Sequence, residues 1–291
     1  MEEQVKDQKT GKLYLCATPI GNLDDITLRV LNTLKEVDLI AAEDTRVTLK
    51  LLNHFEIKKP MISYFEHNRK FHGELICQKI EAGENCALVS DAGSPAISDP
   101  GEDLVKQCAE AGIIVCAIPG PCAAITALSM SGLPTGRFTF EGFLSTTKKN
   151  RAQHMDSLRA EQRTMIFYEA PHKLCATLRD LAAAFGGERR ISLCRELTKL
   201  HEEVLRLTLD GAVAYYETQP PRGEYVLIVE GAPKQQESGP VSEEEALMRV
   251  QALLAEGLSR KDAVRQVAAE TGLAKNQLYD AALRAQHTET E

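Results

Sequence analysis

From position 12 onward, short apolar runs alternate with longer stretches in which apolar residues recur three and four positions apart, the pattern of strands separated by amphipathic helices. The runs at 13–17, 39–42, 61–65, 87–90 and 113–118 predict strands, and the stretches at 25–35, 45–54, 68–81, 102–110 and 123–130 predict helices. Strict alternation of this kind implies a mostly parallel sheet with helices layered on its faces.

Gly132, Pro134 and Gly136 then punctuate the chain, and a crossing into a second domain is expected there. The alternation resumes with strands at 138–144, 164–168, 191–195, 204–209 and 225–230 and helices at 148–160 and 171–185. A polar linker at 232–240 leads to three short helices at 243–255, 260–271 and 274–286. Ser259 with Asp262 three residues on reads as a capping-box-like start, and Gly272 is placed to end the middle helix. The expected division is an α/β domain over 1–131, a second α/β domain over 132–233 and a helix-turn-helix-like module over 241–287. A plain helical docking tail fits the last segment equally.

Composition narrows the class. The chain is 43% hydrophobic and 26% charged, as ordinary globular proteins are, and no apolar run approaches the eighteen residues of a membrane span. Positions 1–12 are polar and lack the apolar stretch of a secretory signal, so a cytoplasmic protein is expected. Eight cysteines, none in a C-x-x-C pair, sit mostly inside apolar runs and read as buried small hydrophobes rather than as a disulfide framework or a zinc site. A net charge of −8 argues against non-specific coating of nucleic acid. Lys148, Lys149, Arg151, Arg159 and Arg163, or Arg189, Arg190, Arg195 and Lys199, could still form a local basic face.

In an open parallel sheet, ligands bind beyond the carboxyl ends of the strands. Three loops there are conspicuous: ATPIGNL from Ala17, SDAGSPAISDPG from Ser90 and IPGPCAA from Ile118. All are rich in small and turn-forming residues that let a ligand approach the backbone. The chain has no G-x-G-x-x-G, no Walker loop, no G-x-S-x-G elbow and no H-E-x-x-H, which counts against dinucleotide, triphosphate, serine-hydrolase and zinc-protease chemistry.

Those loops, together with LYLCATPIGNLDDITLR from Leu13, AAEDTR ending at Arg46, EHN at 66–68, FEGFL from Phe140, FYEAPHK from Phe167 and CRELTKLHEE from Cys194, carry a resemblance to the tetrapyrrole methylase superfamily. Within it, the chain resembles the branch that methylates a cytidine ribose 2′-hydroxyl in 16S rRNA. The resemblance implies the two-domain class III methyltransferase fold with a C-terminal helical module, a homodimer, and S-adenosylmethionine held in the cleft between the domains. It places Pro19, Ala92, Gly93, Ser94, Ile97, Cys122 and Ala123 on the cofactor from the first domain, and Tyr168, Glu169 and Leu197 from the second. Tetrapyrrole-methylating relatives carry Gly-Asp-Pro where this chain has Gly93-Ser94-Pro95, which weakens a corrinoid or porphyrin substrate.

Methyl transfer from a sulfonium asks for alignment in a dry site and for a group to take the hydroxyl proton. Asp44 or Lys199 is the expected proton handler, with Arg46 and His67 positioning ribose or phosphate and no metal required. The same residues have a plainer reading, Asp44 and Arg46 as caps of the helix from Thr45. Tyr64, Phe65 and Phe71 are candidates to stack a splayed base. Two alternatives stay open: another acceptor in the same cleft, such as a tetrapyrrole, or a non-catalytic protein that senses the cofactor and binds RNA.

Overall fold

Strands β1 (Lys12–Cys16), β2 (Leu39–Ala42), β3 (Met61–Ser63), β4 (Cys86–Val89) and β5 (Ile114–Ile118) form a fully parallel sheet in the order β3-β2-β4-β1-β5. This computed structural model describes residues 10–233 and 242–288, so most of the expected linker, 234–241, lies outside the described residues. Every residue of β2 and β4 is buried, as strands covered on both faces must be. One face packs Leu13, Ile76, Leu88 and Leu104, and the other Val30, Leu34, Ile40 and Leu52.

The covering helices are α1 (Leu28–Glu36), α2 (Thr45–His54), α3 (Arg69–Glu81) and α4 (Gly101–Glu110). The helix expected from 25 instead begins as a 3-10 turn, Leu23–Asp25, capped by the Asn22 side chain. The α-helix proper starts only after Thr27, whose hydroxyl accepts from the Val30 amide.

Strands β6 (Phe138–Phe143), β7 (Thr164–Glu169), β8 (Arg190–Arg195), β9 (Glu203–Thr208) and β10 (Tyr225–Val229) make a second, mixed sheet in the order β6-β7-β10-β8-β9. Only the β6–β7 pair is parallel, and it carries an irregularity between Phe140 and Gly142. Helices α6 (Lys148–Ser157), α7 (Pro171–Phe185) and α8 (Leu209–Thr218) accompany it, with Phe167, Leu174, Leu181, Leu193 and Leu227 in the core. Helix α8 was not expected from the sequence. It follows β9 without a loop because the Thr208 hydroxyl caps it on the Gly211 amide, and Leu209, Ala212 and Tyr216 then recur at helical spacing on the buried side.

Helix α5 (Ala123–Met130) precedes the expected boundary at 131, yet Ala124, Ala127 and Leu128 pack against Ile166, Cys194, Val226 and Ile228 of the second sheet. Its small side chains permit that close approach, and the two sheets belong to one compact unit extending to Ala232.

A second unit contains α9 (Glu243–Ala255), α10 (Arg260–Thr271) and α11 (Lys275–Thr288), packed around Ala246, Val250, Val264, Val267 and Leu278. Ser259 caps α10 on the Asp262 amide, and Gly272 ends it in the left-handed conformation at φ 72°. No helix among the described residues is long and apolar enough to cross a membrane.

Candidate functional site

The loops after β1, β4 and β5 leave three adjacent strands on the same side of the first sheet, so strand order alone gathers the three conspicuous stretches of sequence. They are also tied to one another. Thr18 and Gly93 exchange backbone hydrogen bonds of 2.9 and 3.0 Å, the Thr18 hydroxyl donates to the Ser90 carbonyl, and the Ser94 hydroxyl donates to the Pro121 carbonyl. Gly93 sits at φ +83°, a conformation that side chains other than glycine's resist.

Strain concentrates here. Among the described residues, five other than glycine have positive φ, and four of them line or flank the cleft: Ala96, Ser98, Glu196 and Thr198. Strain of this kind persists only where neighbours over-determine it. Asp99 supplies that constraint for the β4 loop: its carboxylate accepts from the amides of Ala96 (3.0 Å), Ile97 (3.3 Å) and Gly101 (2.7 Å).

Facing these loops across the cleft are β6, the β7–α7 junction and the 196–199 turn of the second sheet. Together they enclose a cavity of about 470 Å³, in the range typical of small-molecule sites. Ala92, Gly93, Ser94, Ile97, Cys122, Ala123, Tyr168, Glu169 and Leu197 all line it; Pro19 lines a neighbouring cavity instead. Nine of the ten residues expected at the cofactor thus share one space.

The chemistry of that lining is distinctive. It contains Glu43, Asp91, Asp99, Glu169 and Glu224 and no Lys, Arg or His. Burial and the neighbouring Asp91 push the Glu43 carboxyl above its ordinary pKa, and burial does the same to Asp91 despite the amide of Asp44 donating to it. Glu169 is buried at the end of β7, where its carboxylate accepts from the Ala170 amide and from the Thr177 hydroxyl, which Arg151 in turn donates to. Burial raises the Tyr168 phenol to about 12, so it stays neutral, and its ring is met edge-on by Phe140 and by the exposed Phe143.

The residues expected to do chemistry lie just outside this cavity. Asp44 caps α2 on the Arg46 amide and pairs with the Arg46 guanidinium at 2.7 Å; the hydrogen bonds from Arg46 depress its carboxyl to about 2. Lys199 bridges Glu196 and Glu224, each at 2.9 Å; burial works against its charge, but those two carboxylates outweigh it and raise its pKa. His67 is exposed beside Phe65 and lines neither cavity. Tyr64 is buried in the first sheet's core and cannot stack a base there.

The two candidate basic segments are largely neutralised: Arg151 pairs with Asp180, Arg159 with Asp156, Arg163 with Glu161, Arg190 with Glu230 and Arg195 with Glu203. Sequence reasoning passed over Asp91 and Asp99, though both lie within the most distinctive run of the chain. Phe143 falls within the FEGFL stretch singled out above, whereas for Glu224 no local signal existed.

Comparisons with known proteins bear on the fold and the family. Residues 12–213 match the model of the Tetrapyrrole (Corrin/Porphyrin) Methylases, and residues 241–286 match that of the RsmI C-terminal HTH domain. The chain is 53% identical over 273 residues to the ribosomal RNA small subunit methyltransferase I of Synechocystis sp., covering 94% of this chain and 98% of that one. It is 48% identical over 279 residues to the protein of the same name from Halalkalibacterium halodurans, covering 95% and 96%. In fold it is similar to the methyltransferase CobJ, with a TM-score of 0.59 and 18% identity over 77% of this chain and 95% of that one. It is also similar to Thermus thermophilus uroporphyrin-III C-methyltransferase complexed with S-adenosylhomocysteine, with a TM-score of 0.51 and 16% identity over 75% and 97%. By its matched domains and its near full-length relatives, this chain belongs to the tetrapyrrole methylase family, in the branch of the small-subunit ribosomal RNA methyltransferases I.

Proposed function

We propose that this protein methylates the ribose 2′-hydroxyl of a cytidine in the 16S rRNA of the small ribosomal subunit, with S-adenosylmethionine as donor. The observation that carries the donor is the cavity lining: five carboxylates and no cationic side chain suit a ligand bearing a sulfonium and an ammonium and lacking phosphate. The acceptor follows from relatives of nearly the same length that are named for small-subunit ribosomal RNA.

When bound, the sulfonium supplies an electrophilic methyl carbon. Around it, Ile97, Phe143 and Leu197 exclude water, the Ala92–Ser94 turn offers main-chain groups, and Cys122 begins α5 without a capping side chain, leaving amides at the cavity wall. Lys199 acts by holding Glu196 and Glu224 in place, and Arg46 reaches for RNA phosphate from the surface. The helical unit over 242–288 is proposed as an RNA contact, and the active form as a homodimer in the cytoplasm. A tetrapyrrole acceptor would have to enter without the acidic residue that its methylases carry at position 94.

Incubation with labelled donor and either small ribosomal subunits from cells lacking this protein or tetrapyrrole precursors tests the reading. Label in one 16S cytidine is expected; label in the precursors, or uptake of donor with no transfer, would reject it.

A further inference from the structure

A second cavity, of about 360 Å³, adjoins the first, and of the expected cofactor residues only Pro19 and Ala92 line it. Its walls are the turn after β1, with Gly21 and Leu23, and helix α2, with the exposed Val47 and Lys50 and the buried Thr48. The two cavities share Ile20, Ser90, Asp91, Ala92 and Glu224, so they are separated by little more than the first residues of the β4 loop.

Resting on the function proposed above, we infer that this second cavity seats the target nucleoside and that the Asp91 carboxylate, at the partition, receives the 2′-hydroxyl proton. Three observations support the placement. Asp91 is anchored from behind: its Oδ1 accepts from the Asp44 amide at 3.0 Å, which leaves Oδ2 for a ligand. Glu224, the other carboxylate common to both spaces, is already engaged by Lys199. The cavity also differs in character from its neighbour, since Lys50 lines it and a nucleotide carries phosphate where the donor does not.

Asp44 is the poorer base, because Arg46 holds its proton affinity down. Asp91 keeps a higher proton affinity through burial, with the Asp44 amide opposing and the charges of Asp44, Arg46 and Glu43 acting from α2 and the β2 loop. The balance closes. The ribose oxygen bonds to the methyl carbon, the carbon–sulfur bond breaks with its electron pair left on sulfur, and the hydroxyl proton passes to Asp91 and then to water.

The full-length protein with unmethylated small subunits provides the test. Val47→Trp fills the second cavity from an exposed helix face and is expected to raise KM for subunits about tenfold, leaving S-adenosylhomocysteine affinity by calorimetry within about threefold. Asp91→Asn is expected to lower kcat about 100-fold, with near-normal affinity for S-adenosylhomocysteine, a thioether without the sulfonium charge that the carboxylate would feel, and to abolish the acid limb of the kcat–pH profile, which Asp91→Glu restores in part. Wild-type kinetics in both variants, or loss of S-adenosylhomocysteine affinity in step with activity, overturns the assignment. Failure of the wild-type protein to label any subunit overturns the function itself, and this inference with it.

Discussion

Gly21 and Lys199 meet across the cleft with no room for another carbon: a Cβ on Gly21 would lie 2.5 Å from Lys199 Cγ and 2.8 Å from both the Leu197 carbonyl oxygen and Thr198 Oγ1. The lysine stem is flexible, but the carbonyl belongs to a turn with two residues at positive φ and cannot easily withdraw. Gly21→Ala is therefore expected to destabilise the protein by about 1–3 kcal/mol, read from urea denaturation. Affinity for S-adenosylhomocysteine should fall with it, because Leu197 on the same turn lines the cofactor cavity.

Asp99 is the next weak point. Removing its carboxylate strands three amides that hold Ala96 and Ser98 in left-handed conformations. Asp99→Ala is expected to cost about 2–4 kcal/mol, with Asp99→Asn retaining part of that. A melting curve of Asp99→Ala indistinguishable from wild type would show that the loop is held by something else.

Glu43 gives a pH signature. Its carboxyl is raised above 4.5 in the folded protein by burial and by Asp91, so the native state holds this proton more tightly than the unfolded chain does. The stabilising contribution is then full below the unfolded value and is lost as pH rises through the higher folded value. Glu43→Gln should flatten that decline, making the variant the more stable of the two at neutral pH. Urea midpoints collected from pH 4 to 8 on the about half-unit scale needed for linkage analysis decide it.

Arg46 projects into solvent, with only Asp44 as its partner among the described residues. If it meets RNA phosphate, Arg46→Ala raises KM for subunits, leaves kcat nearly unchanged, and reduces the slope of log KM against log salt by about one. An unchanged salt slope would confine Arg46 to capping α2.

Much of this molecule was readable in one dimension. Helices α2, α5 and α7 begin and end where their patterns predict, because their ends are marked locally by Asp44, by the Pro-Gly-Pro turn before Cys122 and by Pro171. The Gly272 stop and the Ser259 cap were equally legible, since caps depend on residues three or four positions apart. Helix α8 escaped because Asp210-Gly211 looks like a turn, and only the buried side offered by α7 and the second sheet turns those residues into a helix.

The proton acceptor proposed above was the hardest residue to read. Asp44 and Asp91 are both loop aspartates after a strand, and nothing in their flanking residues ranks one above the other. The order of strands does: β4 lies directly between β2 and β1, which brings residues 47 positions apart into hydrogen-bonding contact and leaves Asp91 between two cavities. Sequence by itself determined the elements, the loops and the family, since those depend on periodicity, caps and motifs carried along the chain. Only the tertiary structure decided which carboxylates are neutralised and which stand free, because a charge takes its strength from partners that the chain supplies from far away.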